Sequence, residues 1–173
     1  GAPIVAPAPD RLAELGLVAR QYHLVVARFE PENHIREIVT GLVSSAARLP
    51  LVVVGDAPYA DAYRAEVLAA AGGDPRVHLL GAVWDAELLD VLYAHCLTYL
   101  HGHSVGGTNP SLLRALGAAA PVSAFDIDFN REVAADAGVY FRTAEDVAQL
   151  CEAVEAEPGA ALARGEAGQA DVA

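Results

Sequence analysis

Two histidines, two adjacent glycines, a threonine and an asparagine fall within nine residues of this chain, His101-Gly102-His103-Ser104-Val105-Gly106-Gly107-Thr108-Asn109. An apolar run, Leu97-Thr98-Tyr99-Leu100, leads into them, and an amphipathic run from Pro110 to Leu116 leads out. The order is strand, glycine-rich turn, helix. Thr108 or Asn109 suits the N-cap of that helix, and Pro110 suits its first position. Gly106 and Gly107 let the backbone approach a ligand with no Cβ in the way. The helix start behind them offers unpaired N–H groups and a partial positive charge, which favour an anion such as phosphate. His101 and His103 add ring nitrogens that can hydrogen-bond a phosphate or sugar oxygen, or move a proton. We read the two as alternating across the strand end, so that one faces the ligand and the other is structural. His103 is the candidate general acid or base. A zinc site would need a third nearby ligand, which the sequence does not offer.

Other residues of suitable type stand where apolar runs end. Arg28 follows His23-Leu24-Val25-Val26-Ala27, where its guanidinium can hold a diphosphate with two N–H groups unless Glu30 or Glu32 pairs with it. Asn33 opens the next helix, as its cap or as a donor to phosphate. Gly55, Val83 and Arg114 make up the expected base and ribose side. Val83 would offer only its backbone there, and Arg114 either points into the cleft or pairs with a carboxylate. Trp84 is the sole tryptophan; it packs by default or stacks on a base. Asp56, Asp126 and Asp128 are expected as helix caps ahead of ligands to sugar hydroxyls. The chain has no Gly-Lys-Ser/Thr phosphate loop, no Gly-x-Gly-x-x-Gly after its first strand and no Gly-x-Ser-x-Gly elbow.

These residues need a scaffold that brings strand ends together. Apolar runs at 23–27, 51–54, 77–80, 97–100, 121–125 and 139–141 alternate with amphipathic stretches at 33–47, 60–71, 85–94, 110–118, 131–137 and 143–155. Continuous apolar strands mean burial on both faces. The pattern predicts an α/β, Rossmann-like three-layer α/β/α domain with a mostly parallel sheet of about six strands. Ligands of such sheets bind beyond the carboxyl ends of the strands, near a switch in strand order. Every candidate loop follows a strand, so all share one rim, and that rim is expected to cradle the diphosphate and sugar of a nucleotide-sugar. Residues 1–20 read as a Pro-rich linker and a short lead-in helix capped by Asp10, 21–156 as the binding domain, and 157–173 as an Ala/Gly/Glu-rich tail or frayed helix.

Composition narrows the function classes. The chain has 173 residues, 54% of them hydrophobic, and a formal net charge of −12. That charge disfavours nucleic acid and anionic membranes as partners. No apolar run reaches the length of a membrane span, so no direct insertion is expected, and no signal peptide is read at the start. Lysine is absent, so any cationic phosphate clamp must use arginine. Cys96 and Cys151 have no metal-ligand spacing and are expected to be buried thiols. The absence of methionine suggests an excised domain or a processed start.

Four segments in order, Val26-Ala27-Arg28-Phe29-Glu30-Pro31-Glu32-Asn33, Val53 to Pro58, Val77 to Val83 and His103 to Leu113, resemble retaining glycosyltransferases of the GT4 family. The last segment is similar to a rhamnosyltransferase-like branch, and the likeness runs from about residue 22 to 155. The resemblance implies one half of a GT-B fold, the C-terminal, donor-binding domain. It implies that Arg28 contacts the donor diphosphate, that the backbone near Val83 meets the base, and that Gly106, Gly107 and Thr108 approach phosphate or sugar. The acceptor-binding N-terminal domain would be a missing partner. The implied reaction is retaining transfer of a hexosyl group, rhamnosyl among the candidates, to a saccharide or lipid-linked acceptor. It uses no cofactor and no obligatory metal, in the cytoplasm or at a membrane reached through the missing domain.

Two positions depart from the family. Asn33 stands where many members have lysine, and Arg114 stands where many have the second of two glutamates seven residues apart; Val105 and Gly106 occupy the region of the first. Arg114 has no acceptor for a ribose hydroxyl. A non-catalytic nucleotide or sugar-phosphate-binding module and a sugar-nucleotide epimerase are the alternatives.

Overall fold

The computed structural model describes residues 7–105 and 110–172. Six strands, β1 (His23–Val26), β2 (Leu51–Val54), β3 (Val77–Gly81), β4 (Thr98–His101), β5 (Val122–Phe125) and β6 (Gly138–Phe141), form one sheet in the order β3-β2-β1-β4-β5-β6. Every neighbouring pair is parallel. The register puts His23 opposite Leu51 on one side and Thr98 on the other. The chain winds outward from β1 to β3 and then returns to the centre for β4, which places the switch point between β1 and β4.

The apolar strand runs fill both faces alternately, as the two-residue period requires. Val25, Val53 and Leu100 face α1 (Ile35–Ser44) and α6 (Ala144–Ala156), where Ile38, Leu42 and Val147 close the layer. Leu24, Val52 and Tyr99 face α3 (Ala86–His95) and α4 (Pro110–Gly117), with Leu92, Leu112 and Leu116 opposite. The connections α2 (Asp61–Ala71) and α5 (Asp128–Ala134) complete the two layers. This is the expected three-layer α/β/α, Rossmann-like architecture. Two of its helices start as the sequence suggests. The Asp85 carboxylate accepts the Leu88 N–H at 3.1 Å, and Thr143 and Asp146 form a reciprocal capping box. Cys96 and Cys151 are buried and free, and burial pushes both thiols up to about 12.

Three local expectations change. Pro9–Leu15 forms a 3-10 helix whose N-cap is Ala8, so Asp10 lies inside the first turn and caps nothing. The helix expected from Asn33 starts at Ile35, because His34 adopts left-handed φ 54° and a 3-10 turn occupies Pro31–Asn33. The stretch expected as a tail or frayed helix is a full 15-residue helix, α7 (Pro158–Val172), packed against α4. Its pattern is faint because small residues make the contact: a Cβ on Gly165 would sit 2.2 Å from the Ala119 carbonyl oxygen. Among the described residues no helix is long and apolar enough to cross a membrane.

Gly55, at the end of β2, adopts φ +135°, and a Cβ there would stand 1.8 Å from the Ala27 carbonyl oxygen. The residue following β2 must therefore be glycine for β1 and β2 to stay paired at their carboxyl ends. Gly55→Ala combines backbone strain with overpacking and is expected to cost about 3 kcal/mol or more. Urea denaturation checks this; a midpoint unchanged from the wild type would refute the close approach.

Candidate functional site

At the switch point the loops after β1 and β4 lie against each other. The first is closed from within: Asn33, buried, donates from Nδ2 to the Arg28 carbonyl at 2.9 Å, and its N–H donates to the Glu30 carbonyl. The second is pressed onto it, since a Cβ on Gly102 would lie 2.1 Å from the Asn33 carbonyl oxygen. Ser104 ties the loops again, donating from N and Oγ to the Glu32 carbonyl at 3.1 and 2.8 Å. His34 is a third tie, with Nδ1 2.7 Å from the Gly102 carbonyl. A carbonyl only accepts, so Nδ1 carries the proton. The His34 ring stacks on Phe125, at the end of β5, with centroids 4.0 Å apart. From the far side Asn130, buried in α5, donates to the His103 and Phe125 carbonyls at 3.0 and 2.9 Å. His34 and Asn130 thus position the site, and sequence reasoning did not single them out. The His34 signal was an Asn-His pair directly before a helix; Asn130, one of four polar residues among the seven of α5, gave none.

His101 and His103 do not divide between two faces. Residues two apart on a strand share a face, and the two rings stack with centroids 4.3 Å apart and planes at 17°. They continue a column of rings on the α4 side, Tyr93 to Tyr99 at 5.3 Å and Tyr99 to His101 at 5.8 Å. The Tyr99 hydroxyl lies 3.3 Å from His101 Nδ1, and Ser111 Oγ contacts both tyrosine hydroxyls. Burial, and then the neighbouring His103, push His101 down to about 3. Burial pushes His103 down to about 4, against the opposing pull of Glu30. Both rings are neutral at pH 7. Among the described residues His101 Nε2 and His103 Nδ1 are buried without a hydrogen-bond partner, which makes them the polar atoms here with capacity for a further hydrogen bond.

Arg28 is exposed on the rim and makes no ion pair among the described residues. Glu30 instead accepts the Tyr59 hydroxyl at 2.6 Å, and the Arg28 guanidinium sits 5.9 Å from the centre of the Tyr59 ring. The remaining candidates are placed as follows. Asn33 is committed to its own loop and does not cap α1. Gly55 and Val83 lie at the ends of β2 and β3, Gly55 against Ala27 and Val83 with its side chain packed on the core. Trp84 does not pack; it is 92% exposed. Arg114 turns to α3, where it pairs with Asp90 and lies 5.2 Å from the Tyr93 ring centre. Asp56 pairs with Arg64, and Asp126 with Arg131 and Arg142, while α5 is capped at Ile127 without a side-chain bond. Gly106, Gly107, Thr108 and Asn109 lie outside the described residues. The rim therefore brings together Arg28, His101 and His103, with Gly55 and Val83 further along it and Arg114 apart. Among the described residues no group of three metal-ligating side chains forms.

The fold has clear counterparts. The chain superposes on sucrose-phosphate synthase from Thermosynechococcus elongatus with a TM-score of 0.81 at 22% identity, covering 96% of this chain and 44% of that one. HepE from Anabaena, solved with UDP and glucose, gives a TM-score of 0.84 at 18% identity over 95% of this chain and 46% of that one. The C-terminal domain of a group 1 family glycosyl transferase, LpcC from Francisella tularensis, gives 0.79 at 15% identity and covers 96% and 92%. The chain thus spans under half the length of the first two proteins and nearly all of the LpcC domain. These likenesses establish the fold, that of the C-terminal domains of GT-B glycosyltransferases. No protein-family model matches the chain, and no curated protein does.

The buried neutral histidines set a pH dependence. Unfolded, an imidazole binds a proton near pH 6.5; folded, His101 does so only near 3. Between these values the unfolded chain holds more protons, so stability falls as pH falls. From pH 6.5 to 5 the loss through His101 is roughly 1.5 kcal/mol. Denaturation curves at both pH values should show this loss, and His101→Gln should shrink it. An unchanged difference in the variant would mean that His101 takes up its proton in the folded state.

Proposed function

We propose that this chain is the nucleotide-sugar-binding domain of a glycosyltransferase and that it holds the donor diphosphate at the β1/β4 switch point. The observation that carries the reading is Arg28, an exposed guanidinium that makes no ion pair among the described residues, on a loop pressed against the one that carries two neutral histidines, each with a buried ring nitrogen lacking a hydrogen-bond partner among those residues. HepE, which shares this fold, has been solved with UDP, with UDP and glucose, and with UDP-glucose, and these supply the ligand class for the reading. In the proposed reaction a hexosyl group leaves the nucleotide with retention at its anomeric carbon. The charge developing on the leaving diphosphate is met by Arg28 rather than by a metal. A neutral histidine lends a hydrogen bond to phosphate or sugar without adding charge, and His103 is assigned that place nearest the reacting atoms. Rhamnosyl is one candidate for that hexosyl group. The acceptor and the rest of the catalytic machinery belong to a second domain facing this rim.

A second reading, a binding module without transfer activity, is favoured by one observation: Arg114 is held by Asp90, so the helix after the glycine turn presents a cation-carboxylate pair where a ribose-binding acid would stand.

Calorimetric titration with UDP, GDP, dTDP and their sugars tests the donor site. One nucleotide should bind, and Arg28→Ala should weaken it about 10- to 100-fold, the scale of a charge-assisted hydrogen bond pair. Unchanged affinity in the variant would remove the diphosphate from this rim.

A further inference from the structure

Arg164, in the second turn of α7, is half-buried and makes no ion pair among the described residues. Its Nη1 reaches the Val122 and Ala137 carbonyls at 3.4 and 3.3 Å, beyond the usual range for such bonds. Those carbonyls stand at the start of β5 and just before β6, so this guanidinium lies at the opposite end of the sheet from Arg28. Burial loosens its hold on its proton, and no carboxylate offsets the loss. A cation drawn partly out of water without a counter-charge is costly.

Arg164 also lines a cavity of about 560 Å³, a volume ordinary for a small-molecule site. The cavity has a packing origin. Helix α6 packs on α1 and α7 crosses to α4, so the two helices part beside β6, the edge strand. Ala153 of α6 and Ala160 and Ala161 of α7 line the gap and are too short to close it. Val139, Leu150 and Val154, which also pack in the core, give it apolar walls. Two carboxylates line it as well. Asp146 accepts the Arg142 and Thr143 N–H groups at 2.9 and 3.2 Å, and Glu157 is exposed. With one guanidinium against these two, a ligand of single negative charge is favoured over a dianion.

We propose that this cavity binds a monocarboxylate with an apolar body, its carboxylate held by Arg164 and its hydrocarbon lying on Val139, Leu150 and Val154. The planar fork of a guanidinium matches the two oxygens of a carboxylate. Apolar walls favour a hydrocarbon in proportion to the area it takes from water. The site shares no residue with the Arg28 rim and stands whether or not a nucleotide binds there.

Octanoate, kept below the concentration at which it forms micelles, is the probe for calorimetric titration. It should bind at one site, and affinity should rise up to about 4-fold per methylene from butanoate to octanoate. Arg164→Gln should weaken octanoate about 10- to 100-fold and leave the weaker binding of octanol unchanged. Because Arg164 also meets two carbonyls, a second variant guards against a fault in folding. Ala153→Phe fills the cavity from an exposed position and should abolish octanoate binding while the circular dichroism spectrum stays that of the wild type. No binding of octanoate, or equal binding by the wild type and Arg164→Gln, would overturn the proposal. Octanol binding as tightly as octanoate would reduce the site to an apolar patch. Octyl phosphate binding more tightly than octanoate would overturn the assignment of a singly charged ligand.

Discussion

The loop after β4 lies so close to the loop after β1 that no side chain fits between them at Gly102. Much of the rim follows from that approach. With Gly102 seated on the Asn33 carbonyl, its own carbonyl meets His34, and Ser104 falls within reach of the Glu32 carbonyl. Fixing residue 102 fixes residues 101 and 103 on either side, and Asn130 holds the His103 carbonyl from the opposite flank. The two imidazoles are thus placed largely by backbone contacts, with one ring nitrogen of His101 meeting the Tyr99 hydroxyl. That explains how His101 Nε2 and His103 Nδ1 stay without a hydrogen-bond partner among the described residues while the rings keep their position. Placement that spares these two nitrogens leaves them available, the condition for a preorganised site.

The surroundings of the pair matter as much as its position. A buried imidazole with a nearby carboxylate would be drawn toward its charged form. Here Glu30 is turned to Tyr59, and the ring column of Tyr93, Tyr99 and His101 supplies apolar faces with hydroxyl edges. Desolvation wins, and both rings stay neutral well below pH 7. Such rings hydrogen-bond an anion or a sugar without competing with Arg28 for charge balance.

Much of this was legible in the sequence. Strands buried on both faces appear as unbroken apolar runs, and the caps Asp85 and Thr143 are local chemistry that needs no tertiary partner. What was hidden depends on distant contacts. Asn33 has the type of a cap or a phosphate donor, but the Arg28 carbonyl claims its amide. Arg114 has the type of a ligand-facing residue, but Asp90 on α3 is nearer. Helix α7 has little periodicity because Gly165 and Gly168 serve contact by smallness rather than by apolar bulk. The histidine pair is a different case: the two-residue strand period was available and puts both rings on one side.

The arginines of the rim give the site its polarity. In a chain of net charge −12, carboxylates outnumber arginines about two to one, so pairing is the expected fate of an exposed guanidinium. At the end of β2 Asp56 takes Arg64, and at the end of β5 Asp126 takes Arg131 and Arg142. Arg28 has Glu30 and Glu32 two and four residues away, yet pairs with neither. Glu30 is bound by the Tyr59 hydroxyl, and Glu32 lends its carbonyl to Ser104 while its carboxylate makes no ion pair with Arg28. Holding the loop in this shape forgoes a local ion pair, which on an exposed surface is worth at most about 1 kcal/mol. The return is an uncompensated positive charge at the one point of the sheet where the strand order reverses. A parallel sheet already presents its crevice there, and at the β3 side Asp85 and Asp90 are taken by Arg11 and Arg114. Fold topology sets where the crevice lies, and the arrangement of paired and unpaired arginines sets where its uncompensated positive charge stands.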